Sequence, residues 1–280
     1  MDRIRISPGL ISGMETPMGL YDALSNSISG ASAQSYALNN ISGNIANTQT
    51  AGFKTTETSF ADMLAQTTAK VQSSGGVATS TRDTLGLQGT IQSTGVSTNL
   101  AISGNGYFVV RSNTGTPQSP SFTGETAYTR RGDFTADSGG YLVNGAGYYL
   151  FAGPSATAPV QVPTGTDTLA SLTVSPAGTL TGTGADGSTQ ALGSLTLAQF
   201  GGQDNLTSLD GGTYVANGRS GAPSFGLAGA TIAAGSVEQS NAGISDQFSK
   251  MIETQQAYTA NTKVMSAADQ MLQDAIAMDV

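Results

Sequence analysis

After Gly243 neither Pro nor Gly interrupts the chain before its last residue, Val280. Over that stretch Ile244, Phe248, Met251, Tyr258, Met265, Leu272 and Ile276 recur at intervals of four, three or seven. A neighbouring row holds Val264, Ala268, Met271, Ala275 and Met278. Both spacings put side chains on one face of a long α-helix. Asp246 and Glu253 precede Lys263, the order that the helix dipole favours. At 1.5 Å per residue the helix would be about 50 Å long. Gln255, Thr262 and Asp269 stand between the apolar positions. A stripe this thin buries little alone, so the helix requires partners.

The opposite end of the chain supplies a match. From Leu20 the apolar positions are Leu24, Ile28, Ala31, Leu38, Ile41 and Ile45, near helical spacing, with Asp22 in the first turn. Gly30 and Gly43 weaken this helix by about 1 kcal/mol each, and Ser, Asn and Gln cover most of its remaining surface. An ordinary amphipathic helix of a globular domain is one reading. The other is that the two charge-poor helices pair with each other and then pack against further copies. Ahead of them, Met1 to Pro17 contains Pro8, Gly9, Gly13 and Pro17 and reads as an irregular leader, with Met18 an alternative start. It carries Arg3 and Arg5 but no secretory h-region, so export would proceed without a standard cleaved signal.

Composition narrows the chemistry. The 280 residues allow two domains and a sizeable core. A net charge of −8 argues against nucleic acid as a partner, since no basic patch exists to release counterions. Cys, His and Trp are absent, which removes Ser-His-Asp and Cys-His nucleophiles, imidazole bases, the usual zinc sites and a disulfide framework. No apolar run approaches the roughly 20 residues of a membrane span. No cofactor is expected. Nineteen acids are present, yet none sits in an aromatic-framed setting that would tune a catalytic carboxylate; a secreted β-rich hydrolase is therefore the weaker alternative.

The middle reads as strand and turn. Gln72 to Val96 is rich in Gly, Ser and Thr, giving extended segments or a plain linker. Asn99 to Val110 is two short strands around Gly104-Asn105-Gly106. Strand signals separated by Gly-bearing turns continue through Tyr128–Asp137, Tyr141–Val143, Tyr148–Leu150, Val160–Val162, Leu172–Val174 and Leu192–Leu197 to Gly226-Leu227, which argues for an antiparallel β-domain. Gly104-x-Gly106 lacks the third Gly and the following helix of a phosphate loop, and Asp133 with Asp137 lacks EF-hand spacing.

Three Asn within eight residues close the first helix, in Asn40-Ile41-Ser42-Gly43-Asn44-Ile45-Ala46-Asn47-Thr48-Gln49-Thr50-Ala51-Gly52-Phe53-Lys54. Asn favours caps and turns, so its density there is unusual. The run resembles the N-terminal signature of bacterial flagellar rod and hook proteins, N-N-I-A-N-x-x-T-x-G-F-K. Asn44, Ile45, Ala46, Asn47, Thr50, Gly52, Phe53 and Lys54 match, and Gly43 departs from it. Ser59 to Leu64 is similar to hook-type members. Thr129, Arg130, Gly132, Phe134, Asp137, Gly140, Leu142 and Val143 fit a second family run, and Gly235, Glu238, Ser240 and Asn241 fit the entry of the form G-x-x-E-x-S-N. Gln255 to Tyr258 and Asp269 to Leu272 resemble the rest of the C-terminal signature.

The expected fold is α+β: terminal helices paired as a coiled-coil-like domain (18–47 plus 243–280), an extended connector (48–98 plus 235–242) and an antiparallel β-rich outer domain (99–234). The resemblance implies a structural, non-enzymatic subunit of the bacterial flagellar hook that polymerises helically, with the distal rod as the alternative. It implies as partners further copies of the chain, the other axial proteins of rod and hook-filament junction, the flagellar type III export apparatus and the hook cap. It places the protein in the hook or basal body, outside the cell or, for a rod subunit, in the periplasm. The residues expected to carry self-assembly are Leu20, Leu24, Ile28, Leu38, Ile41, Asn44, Ile45, Asn47, Ile244, Phe248, Met251, Tyr258, Met265, Leu272 and Ile276, with Phe53 anchoring the connector.

Overall fold

The computed structural model describes residues 18–68, 71–116, 120–162, 169–184 and 187–278. The leader expected over 1–17 and the side chain of Leu20 lie outside the described residues. Two long helices bound the described chain, α1 (Met18–Ala46) and α2 (Ile244–Met278), and the regular structure between them is strand apart from one 3-10 turn at Gln203–Asn205. The α+β fold read from the sequence is the fold observed. By contacts the chain divides into two compact units, one taking the described residues of 1–39, 58–80 and 251–280 and the other taking 40–57 and 81–250.

The first unit contains most of both helices and most of a two-stranded sheet of β1 (Thr56–Thr68) and β2 (Val71–Asp83). Its packing uses small side chains. On α1 the buried positions here are Ser27, Gly30, Ala33 and Ala37; on α2 the half-buried Thr254 and Asn261 and the buried Ala268 recur every seven residues. Gly30 lies against the Asn261 side chain, since a Cβ at Gly30 would fall 3.0 Å from the Asn261 amide nitrogen. The β2 strand meets α1 at the Ser29 hydroxyl. Ser29 Oγ accepts from the Val77 N–H at 2.9 Å and donates to the Val77 carbonyl, while a Cβ at the neighbouring Gly76 (φ +114°) would fall 2.8 Å from that oxygen. This is the Gly-rich stretch read from sequence as extended segments or linker.

The second unit is built on an eight-stranded sheet. Its order is Thr207–Leu209, Thr213–Val215, β6 (Thr126–Thr129), β5 (Phe108–Ser112), β9 (Tyr148–Ala152), β8 (Leu142–Asn144) and β7 (Phe134–Ala136), with β10 (Ala158–Pro159) pairing β9. Successive residues of a strand face opposite sides, and here both sides are covered. Phe108, Val110, Ala127 and Leu150 join one apolar cluster with Leu100, Phe134 and Leu142. Tyr107, Val109, Tyr128 and Phe151 join a second with Leu85, Leu206 and Tyr214. Double burial explains why the sequence here runs Tyr107-Phe108-Val109-Val110 without a polar interruption. Segments before and after this sheet pair with each other: β3 (Ile91–Ser93) against Ser236–Glu238, and β4 (Leu100–Ser103) against Thr231–Ala234.

Candidate functional site

The pairing of β3 with Ser236–Glu238 sets Glu238 opposite Ile91, and the segment after α1 runs alongside the same stretch before α2. The Gly52 N–H donates to the Glu238 carbonyl at 2.7 Å, and the Asn241 N–H donates to the Phe53 carbonyl at 3.2 Å. Gly52 is required by this approach: its φ is +66°, and a Cβ would sit 2.6 Å from the Arg131 backbone nitrogen.

Asparagines supply the hydrogen bonds that regular structure cannot. Asn44, buried on the last turn of α1, pairs with the backbone of Thr56 as a strand would: its Oδ1 accepts from Thr56 N–H and its Nδ2 donates to the Thr56 carbonyl, each at 3.0 Å. The same amide donates to Gln247 Oε1 on α2 at 3.1 Å. Asn47 donates to the Gly43 carbonyl and accepts from Thr50 Oγ1, satisfying the end of α1. Asn241 Oδ1 accepts from the Thr55 N–H at 2.7 Å, and its Nδ2 donates to Thr84 Oγ1. The side chain of Thr55 is hydrogen-bonded to that of Thr84 at 2.7 Å.

At the centre stands a buried ionic trio. Glu238 Oε1 accepts from Lys54 Nζ at 2.5 Å and from the Gly89 N–H at 2.8 Å; its Oε2 accepts from Arg130 Nη1 at 3.3 Å. Lys54 also donates to the Leu87 carbonyl, and Arg130 to the Gly104 carbonyl while lying 5.3 Å over the Tyr107 ring. All three side chains are shielded from solvent, Lys54 and Glu238 fully. Burial pushes the Lys54 ammonium below the ordinary lysine range, against the opposing pull of Glu238. Two cations thus share one carboxylate, an arrangement in which removing one partner strands a charge in a low dielectric.

Beside the trio a cleft of about 310 Å³ is lined by Asn47, Phe53, Asp83, Arg131, Leu209 and Tyr214 among others. The expected site residues fall in two groups. Asn44, Asn47 and Phe53 meet at this junction, with Ile41 buried nearby in sequence. Leu24, Leu38, Ile45, Met251, Met265 and Leu272 are half-buried along the helices. Ile28, Ile244, Phe248, Tyr258 and Ile276 are exposed, Ile276 by 68%. Lys54, Arg130 and Glu238 were not among the residues expected to carry the site. The available signal was that each is a charged position of a different signature run in a chain only 11% charged.

Comparison with known proteins agrees with these runs. Residues 101–182 match the family described as Flagellar hook protein FlgE/F/G D1 domain, and residues 233–278 the family described as Flagellar basal body rod FlgEFG protein C-terminal. The chain is 31% identical to the flagellar basal-body rod protein FlgG of Bacillus subtilis over 273 residues, covering 91% of this chain and 97% of that protein. Against the FlgG of Caulobacter vibrioides the identity is 33% over 276 residues, with 90% and 97% covered. The flagellar hook protein FlgE of Brucella abortus is 44% identical over 133 residues, which are 48% of this chain and 31% of that protein.

Proposed function

Because the chain belongs to the flagellar hook and rod axial protein family, we propose that it is a structural subunit of the basal-body rod, polymerising with copies of itself into a section of the axial tube. One observation carries this reading. The fully buried helix positions are mainly small or amide side chains, with Ile41 the large apolar one among them, while several large apolar residues are exposed: Ile28 on α1, and Ile244, Phe248, Ile252, Val264, Met271 and Ile276 on α2. Exposed apolar rows of this extent are surfaces for other chains. A surface patch that meets a different patch on the next copy propagates into a filament instead of closing a dimer. The low charge of the helices suits such stacking, since neighbouring copies then bring few like charges together.

Rod is favoured over hook by length: the match to the Bacillus subtilis rod protein covers 97% of that protein, whereas the hook match occupies under a third of the hook protein. The hook is a second reading, favoured by the higher identity of that shorter match. On either reading the division into a discontinuous helical domain, a connector and a β-rich outer domain is part of the proposal. So are delivery by the flagellar type III export apparatus and contacts with adjoining axial proteins, plus the hook cap if the subunit belongs to the hook. No helix among the described residues is long and apolar enough to cross a membrane.

Electron microscopy of basal bodies from a strain lacking this gene tests the proposal. Short rods without hooks are expected. Complete rods without hooks would move the assignment to the hook, and complete rods with hooks would overturn both readings.

A further inference from the structure

The ionic trio draws one side chain from each of three separated segments: Lys54 after α1, Arg130 at the end of β6, and Glu238 before α2. Each segment depends on the others for its buried polar groups. Without 238–241, the Gly52 and Thr55 N–H groups lose their partners and the Lys54 ammonium keeps only the Leu87 carbonyl; without 52–55, the Asn241 N–H and Oδ1 lose theirs and one oxygen of Glu238 keeps only the Gly89 N–H. Without Arg130, the second oxygen of Glu238 loses its charged donor. Buried donors and acceptors left unpaired are costly, and networks of this kind hold together or come apart as a whole.

We propose that Lys54, Arg130 and Glu238 form a clasp that makes the ordering of both chain ends one cooperative step. Neither the segment around Phe53 nor the segment around Asn241 keeps its place on the β-rich unit without the other. The clasp sits eight residues beyond α1 and six before α2, and the Asn44–Gln247 hydrogen bond joins the helix bases just outside it.

Native-state hydrogen exchange on the purified, unassembled full chain tests this, with no polymer required. In sub-denaturing urea the Gly52, Thr55, Thr56, Gln239 and Asn241 amides are expected to exchange through one opening, with a common free energy and a common urea slope. Different slopes for the two segments would overturn the proposal. In Glu238→Gln all five amides should exchange at least about 30-fold faster, the loss expected when hydrogen bonds to a charged acceptor are weakened, while amides of β5 change less than threefold. Acceleration confined to one segment would overturn it as well. Should that variant not fold, the wild-type urea series decides alone. A failed rod assignment in the deletion strain leaves this result untouched, and the converse also holds.

Discussion

Tyr107 is one of the buried groups through which the chain responds to pH. Its ring is fully buried between the second apolar cluster and the Arg130 guanidinium, and its hydroxyl has no protein partner among the described residues. Burial pushes its pKa up to about 12, with Arg130 pulling the other way. Tyr214, also buried, is raised for the same first reason. A tyrosine whose folded pKa is raised contributes stability in full below its unfolded value near 10 and loses it as pH climbs through the folded value. Urea denaturation should therefore show stability falling between pH 10 and 12, by about 2–3 kcal/mol from Tyr107 alone. Lys54 has the opposite sign: its lowered pKa makes its contribution improve as pH rises towards 10.5. Tyr107→Phe removes an unpaired buried hydroxyl and should raise the urea midpoint at pH 7 by about 1 kcal/mol equivalent while flattening the alkaline loss. A glycine of the second signature run behaves differently. A Cβ at Gly132 would fall 1.6 Å from the Leu100 carbonyl oxygen, so Gly132→Ala must move backbone and should cost about 3 kcal/mol in the same assay.

At the scale of elements, the helices were legible from spacing and the strands from turn signals, because both rest on local periodicity. Which helix positions are buried within the subunit was not. Met251, Tyr258, Met265 and Leu272 read as the stripe that an apolar scale picks out, yet the buried ends of the adjacent heptad row are Gln247 and Ala268. Small and amide side chains let helices approach closely, and an apolarity scale does not register closeness. The proposed division between inner and outer helix positions predicts a separation of effects. Phe248→Ser and Ile276→Ser alter exposed positions, so the thermal midpoint of the isolated subunit should change by no more than about 0.5 kcal/mol equivalent. The same variants should fail to form tubes, read by sedimentation and electron microscopy. Loss of subunit stability with unchanged assembly would mean that those rows serve the fold instead.

For the whole molecule, the sequence marked three signature runs and their family without showing that they converge. Nothing in local spacing relates Lys54 to a carboxylate 184 residues later, and the junction exists only once β3 pairs with Ser236–Glu238. Glycines and asparagines of these runs, which composition presents as turn formers, instead mark close backbone crossings and side-chain hydrogen bonds at the junction, as at Gly52 and Asn44. On the proposed function, the exposed helix rows are contacts between copies in an axial tube. The absence of Cys makes a direct test clean. Single cysteines placed by Phe248→Cys and Ile276→Cys, in cells expressing each variant as the only copy, can be oxidised within isolated basal bodies and resolved on non-reducing gels. Self-assembly through these rows predicts disulfide-linked dimers from basal bodies with at least one of the two variants, absent when a cysteine replaces the buried Ala268. Monomer alone from both outward positions, in basal bodies that contain the protein, would contradict it.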